Sequence, residues 1–312
     1  MLPFLAAAGR YGRLLLVAGL LAGLFLPSAA AAVRPYVGEL IAALLFLACL
    51  RIGPRQAVGV AADIGLGLKA TLVLQLILPL ALAALFRFAG WTGPTTLALT
   101  LMTAASPIAG SPNLLAMIGS DPAPALRQLV VGTALLPFTA LAVFLFAPSL
   151  GAPGALFLAA ARLLLVIGAA ALIGFGIRLA ILRDLSPGQR EAIDGCSAIV
   201  MAVVVVGLMA AIGETWRENP QAVLVTGAVA FAANFGLQIA TTLLVAKAGA
   251  RHLAVALGVS AGNRNVALFL TALPAATTDA ALLFIACYQV PMYLTPVILG
   301  RWYRSVTPEA DG

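Results

Sequence analysis

The sequence predicts an all-α polytopic membrane protein, with ten transmembrane helices arranged as two inverted five-helix repeats. Three observations carry this prediction. The 312 residues are 62% hydrophobic and only 9% charged, with a mean hydropathy of +1.08, whereas about a quarter of a soluble domain is charged. Ten apolar runs approach the roughly 20 residues that a helix needs to cross the hydrocarbon core. Two of those runs carry a polar interruption at the same place in each half.

The runs fall at 12 to 32, 36 to 52, 69 to 89, 94 to 119, 125 to 147, 155 to 179, 196 to 213, 221 to 246, 252 to 275 and 279 to 301. Their connections are too short for a soluble domain. The longest, 53 to 68, is mildly amphipathic and is expected to lie along the membrane surface. The first run follows Arg10 and Arg13 and ends in "PSAAAA", which is also how a cleavable signal peptide is written. It counts here as span one because the repeat needs it.

Orientation follows the basic residues. With a cytoplasmic N-terminus, Arg34, Arg87 and Arg217 face outward, Arg162 and Arg264 fall within spans, and the rest of the 18 Lys and Arg residues face the cytoplasm. This asymmetry predicts cytoplasmic termini, and the expected location is the inner (plasma) membrane of a bacterium. It also accounts for the net charge of +7 without a nucleic-acid partner. The lipid bilayer is the partner that the composition implies.

Ten spans divide into five and five, residues 1–152 and 153–312, and an odd number of crossings inserts the halves in opposite orientations. Transporters built this way bind their substrates where corresponding helices are broken near the midplane. Span four contains "ASPIAGSPN", where Pro107 and Pro112 each remove a backbone donor, and span nine contains "SAGNRN". Asn113 and Asn265 hold matching positions at nearly the same offset as Pro137 and Pro291 in the spans that follow. One interruption merely bends a membrane helix. Two matched interruptions, each with Ser and Asn, point to a binding site. Unwound backbone must find protein, water or ligand, and exposed helix N-termini favour anions.

The candidate site residues are Gln75, Ser106, Ser111, Asn113, Thr133, Ser260, Asn263, Arg264 and Asn265, with Gln238 a similar polar group in span eight. Every acidic residue maps to a loop or a span end. The middle of the membrane therefore lacks the carboxylate on which Na⁺ or H⁺ sites usually rely. Arg264 costs at least about 2.5 kcal/mol at the centre of a span, and it cannot shed its proton. Two roles are open to it. It can tie the crossing together through carbonyls freed by the breaks, or face a cavity and grip a carboxylate.

Cys49, Cys196 and Cys287 have no metal-type spacing, and His252 has no ligand partner at helical distance. Arg162 is placed to snorkel to the interface. Without a nucleophile–base pair, metal cluster or phosphate loop, the sequence suggests neither an enzyme nor a cofactor, with Na⁺ the one ion to consider.

The stretches "SPIAGSPNLLAMIGSD" (106–121) and "SAGNRNVAL" (260–268), set in ten spans with breaks in four and nine, resemble the bile acid:sodium symporter family. The resemblance implies a panel domain of spans 1, 2, 6 and 7, a core domain of spans 3–5 and 8–10, and uptake of small organic anions by alternating access. Where the family has a Ser-Asn pair in the first break, this chain has Pro112 and Asn113. Where it has Glu and then Gly-x-Gln-Asn in the second, this chain has Ser260, Arg264 and Asn265. The family's Glu and Gln help bind two Na⁺ ions, so these replacements imply weakened or absent sodium coupling. The alternatives are a sodium-coupled organic anion symporter and a non-transporting receptor on the same fold.

Overall fold

Prolines open many of the helices. Pro27, Pro94, Pro112, Pro153, Pro187 and Pro220 all stand in first turns, where a missing N–H breaks no intrahelical bond. The computed structural model describes residues 2–61, 64–147 and 152–306; Asp63, Glu309 and Asp311, assigned to loops by the sequence, lie outside them.

The described helices are α1 (Leu2–Arg10), α2 (Gly12–Phe25), α3 (Pro27–Val33), α4 (Val37–Ile52), α5 (Pro54–Ala61), α6 (Ile64–Thr71), α7 (Leu78–Phe88), α8 (Pro94–Ala104), α9 (Ser111–Ile118), α10 (Ala123–Phe146), α11 (Pro153–Ala180), α12 (Pro187–Glu218), α13 (Pro220–Lys247), α14 (Arg251–Gly262), α15 (Ala275–Ile298) and α16 (Gly300–Val306). A 3-10 turn at Arg34–Tyr36 joins α3 to α4, a π-helical stretch at Leu72–Ile77 joins α6 to α7, and a 3-10 helix at Val266–Thr271 follows α14. There is no strand among the described residues.

Seven helical segments are long and apolar enough to cross a membrane: Pro27–Ile52, Ile64–Phe88, Ala123–Phe146, Pro153–Ala180, Pro187–Glu218, Pro220–Lys247 and Ala275–Ile298. Phe4–Arg10 and Leu14–Phe25, bent by 84° to each other, make an eighth if taken together. The chain is thus a polytopic helical membrane protein. Leu158, Leu165, Leu172 and Leu179, seven residues apart on α11, are all exposed, as a lipid-facing stripe should be.

Three predicted boundaries move. The run 12 to 32 is not one helix: it breaks at Leu26 (φ −118°, ψ 72°), because Pro27 has no N–H to donate and disfavours helical backbone before it. The next crossing helix consequently starts at Pro27 and passes through Pro35 with only a 3-10 tightening. Ile64–Leu68, expected on the membrane surface, is instead the first part of α6 and runs on into the third span. Helix α12 begins well before its apolar run, at a capping box in which the Ser186 and Gln189 side chains each bond the other's backbone N–H.

Glycines set the closest helix contacts. Helices α1 and α2 lie on α12, where a Cβ at Gly19 would come 2.7 Å from the Ala202 carbonyl oxygen and one at Gly23 would come 2.6 Å from Met209 Cβ. Gly258 and Gly262 on α14 form a Gly-x-x-x-Gly pair, and a Cβ at either would overlap the Gln238–Thr242 turn or the Asn234 carbonyl of α13. Gly262→Ala should therefore lower the unfolding free energy in detergent by about 1–3 kcal/mol through overpacking. Gly227→Ala, where nothing lies within 4 Å, should be neutral or raise it by about 0.5–1 kcal/mol. Thermal unfolding of the two variants checks both expectations.

Candidate functional site

The two interruptions meet. Helix α8 stops at Ala104, Ala105 turns extended (φ −69°, ψ 153°), and the chain runs through Pro107 before α9 begins. Helix α14 stops at Gly262 and leaves the helical region at Asn263 (φ −103°, ψ 88°). The unwound stretches lie antiparallel, with Ile108 N–H donating to the Asn263 carbonyl at 3.0 Å and Asn265 N–H donating to the Ser106 carbonyl at 2.8 Å. Pro107 and Arg264 face each other between these bonds. At such a position neither backbone donates across the pair, so the missing N–H of Pro107 costs nothing there. The Arg264 N–H is left free and donates to Tyr288 Oη at 3.1 Å.

The Arg264 side chain is 1% exposed and spends its fork on main-chain carbonyls. Nε donates to Ala261 at 2.8 Å, Nη1 to Ala105 at 2.9 Å and Nη2 to Leu74 at 2.9 Å. Two of these acceptors belong to the ends of α14 and α8, where helix carbonyls lack partners and carry partial negative charge. The third arises from the π-helix. There, Leu78 N–H bonds the carbonyl five residues back, at Val73, and in the same register the Leu74 carbonyl would look to Pro79, which has no N–H. Arg264 supplies the missing donor. No carboxylate pairs with it among the described residues. Of the two roles open to Arg264, the structure displays the bracing one directly.

A network of amides and hydroxyls surrounds the second break. Tyr288 Oη donates to the Gly262 carbonyl. Asn234 Nδ2 donates to Gly262 at 2.6 Å and to Asn263 Oδ1 at 3.3 Å, and Gln238 Nε2 donates to Asn234 Oδ1 at 2.6 Å and to Thr295 Oγ1 at 3.0 Å. Thr295 Oγ1 in turn donates to Asn263 Oδ1, and Tyr303 Oη to Gln238 Oε1. The first half has a smaller counterpart, in which Gln75 Nε2 donates to Thr139 Oγ1 and to the Gly132 carbonyl, both at 2.9 Å.

The structure gathers most of the sequence candidates. Ser106 is buried and pairs with Asn265, while its Oγ accepts from Thr133 at 3.3 Å. Gln75 and Asn263 are buried in the hydrogen bonds just described. Ser111 and Ser260 are buried beside the breaks, and their hydroxyls have no partner among the described residues. Asn113 stands apart from them. On α9 the buried positions are Ser111, Leu114, Leu115 and Ile118, a single face at helical spacing, so the 100° step turns Asn113 outward to an exposed position.

Sequence reasoning missed Asn234, Tyr288, Gln289, Tyr293 and Thr295. Asn234, Gln238 and Thr242 recur every four residues on an otherwise apolar helix, as Tyr288 and Thr295 do at seven, and that periodicity was the available signal.

Two cavities lie end to end along one groove. One, of about 220 Å³, reaches Asn265, Val266 and Ala267 from the side of Cys49, Phe175 and Met201. The other, of about 670 Å³, reaches Leu270 and Thr271 from the side of Gly38, Gly207 and Asp279. The same helices, α4, α11, α12 and α15, flank both. Between them stands the 3-10 helix, where Gly38 lets α4 approach: a Cβ there would sit 3.4 Å from the Leu270 carbonyl oxygen. At the mouth of the larger cavity Arg34 pairs with Glu214 at 2.7 Å and Asp279 at 3.4 Å. Arg51 pairs with Asp194 at 2.8 Å at the opposite ends of α4 and α12. Arg34, Glu214 and Asp279 therefore gather at one end of α4 and α12, and Arg51 and Asp194 at the other.

No protein-family model matches this chain, and no curated protein matches it. Among the described residues, no three His, Cys, Asp or Glu side chains gather where they could hold a metal ion.

Arg264→Gln leaves at least two buried carbonyls without donors and should cost about 2–4 kcal/mol of unfolding free energy. Tyr288→Phe, which leaves the Arg264 N–H without its acceptor and the Gly262 carbonyl with Asn234 as its one side-chain donor, should cost about 1–2 kcal/mol. Asn113→Ala, at an exposed position, should change it by less than about 0.5 kcal/mol. Thermal unfolding of the three variants in one detergent checks this order.

Proposed function

We propose that this protein is a secondary transporter for a small organic anion, working by alternating access around the crossing and without sodium coupling. The observation that carries the reading is the pair of broken helices, crossing at Pro107 and Arg264, with a cavity at each end of the groove beside them. Unwound backbone inside a membrane protein is tolerated where it lines such a space, and inverted-repeat transporters keep their sites there.

The two broken helices, added to the seven long segments and the bent N-terminal pair, supply the ten spans of two inverted repeats, 1–152 and 153–312. Matching bonds support the duplication: Gln75 to Thr139 joins spans three and five, and Gln238 to Thr295 joins spans eight and ten. In this reading, α1–α5, α11 and α12 form the panel, and the remaining helices form the core that carries both breaks. The expected setting is a bacterial inner membrane with both termini cytoplasmic, which puts the smaller cavity on the cytoplasmic side. The opposed Arg34 and Arg51 ion pairs agree with that sidedness.

The absence of sodium coupling rests on Arg264. Carbonyls at the ends of broken half-helices are what such transporters offer a coupling cation, and here a guanidinium holds two of them, together with the Leu74 carbonyl of the π-helical stretch. Its fixed charge, which no carboxylate among the described residues pairs with, makes the groove suited to an anion. The hydroxyls and amides at the crossing form no nucleophile–base pair, so the reading is transport rather than catalysis.

Uptake of labelled benzoate into proteoliposomes should be equal with sodium or choline as the external cation, and Arg264→Gln should abolish it. Uptake rising steeply with an inward sodium gradient would overturn the uncoupled reading, and a fully active Arg264→Gln would overturn the role given to the arginine.

A further inference from the structure

Resting on the transport reading, we infer that the carrier is an obligatory exchanger: the fixed charge of Arg264 lets the crossing reorient only with a monoanion bound, so one anion leaves for each that enters. The starting point is a charge without a counter-charge. Arg264 is the one charged side chain that is buried among the described residues. Three carbonyls occupy its fork, and such dipoles satisfy the N–H groups without cancelling the charge. The smaller cavity, whose lining includes Arg264, has no acidic side chain and no second basic one among the described residues. In the larger cavity the basic side chain, Arg34, already pairs with Glu214 and Asp279.

The same lining holds a group that can receive the anion. Asn265 is half-buried, and its side-chain amide makes no hydrogen bond among the described residues. Unlike the hydroxyls of Ser260 and Tyr293, that amide is not shielded from solvent. Its Nδ2 can donate to an anion, and it is next in the chain to the guanidinium whose field holds that anion. Arg264 does not have to touch the ligand, because a charge in a weakly screening medium acts beyond contact distance.

Alternating access makes the balance of this charge decisive. While the groove is open to one side, water entering it screens the guanidinium. Passing to the other side requires a closed intermediate, in which apolar walls such as Leu44, Ile167 and Met201 exclude that water. An empty carrier would take a bare positive charge through this intermediate, and an uncompensated buried charge is strongly penalised. A bound monoanion makes the site neutral and removes the penalty. A dianion reverses the sign and restores it. The empty return that uniport needs is therefore slow, whereas exchange of one monoanion for another is fast and moves no net charge.

The test is flux through the full chain in proteoliposomes, with labelled benzoate and benzenesulfonate as probes and protein-free vesicles as the blank. Uptake into vesicles loaded with the unlabelled probe should be at least roughly tenfold faster than into vesicles holding only potassium sulfate. A potassium diffusion potential set with valinomycin should leave the loaded rate unchanged. Asn265→Asp, which adds a carboxylate to the lining, should bring the ratio of loaded to unloaded rates close to one. Asn265→Ala, which alters no charge, should keep the ratio even as both rates fall. Equal rates in loaded and sulfate vesicles, or a loaded rate that rises with the potential, would overturn obligatory exchange and leave transport standing; this comparison needs only the wild type. A ratio in Asn265→Asp as high as in the wild type, or an equal loss of it in Asn265→Ala, would overturn the role given to the charge. Flux of neither probe above the blank would sink the transport reading, and exchange with it.

Discussion

The bond set on which the rest of the structure depends is the grip of Arg264 on the Ala261, Ala105 and Leu74 carbonyls. A charge buried in an apolar interior is tolerable only when its donors are satisfied. Here that condition requires three backbone segments to converge on one guanidinium. The two breaks provide carbonyls because helices stop there; the π-helix provides a third because Pro79 withholds an N–H. Arginine and open backbone each remove the cost of the other. The two-bond pairing of Ile108 with Asn263 and of Asn265 with Ser106 then fixes the relative position of the two halves of the chain.

The surrounding packing keeps this arrangement in register. Gly258 and Gly262 bring α14 close enough to α13 for Asn234 and Gln238 to reach the second break. Gly132 plays a related part on α10, where a Cβ would stand 2.9 Å from Gln75 Oε1 and 3.2 Å from Pro107 Cδ. Small residues at these points, rather than apolar burial, decide how closely helices approach, because lipid tails are as apolar as leucine side chains. Close approach in turn brings the amides near enough to hydrogen-bond. Across the groove the flanking helices offer almost only apolar side chains, so the polar features concentrate on the side that carries the breaks.

Much of the fold was legible before any coordinates. Composition and run length indicated a helical membrane protein, and "ASPIAGSPN" and "SAGNRN" marked where helices stop. Boundaries were less legible at α3 and α6. Pro27 ends α2, whereas Pro35 passes inside the continuous segment Pro27–Ile52 with a 3-10 turn. The segment 64–68 looked interfacial because it closes the mildly amphipathic stretch 53–68, yet α10 and α14 pack against that region and draw it into the span. The position of Asn113 was not legible either. Its matching position in the repeat suggested a shared role, but α9 buries the face of Ser111, Leu114, Leu115 and Ile118 and turns Asn113 away.

The sequence by itself determined what is local. Prolines without N–H groups must break the backbone ladder, a lone arginine in an apolar run must turn inward, and carboxylates kept to the loops leave the interior without a negative charge. Only the tertiary structure decided what answers those demands. The acceptors of Arg264 on the first half of the chain lie 159 and 190 residues away from it. The Gly262 carbonyl, two residues before it, takes its side-chain donors from Tyr288 on α15 and Asn234 on α13. Such partners are chosen by the direction and closeness of helix packing, which depend on every contact along the helices and not on the spacing within one segment.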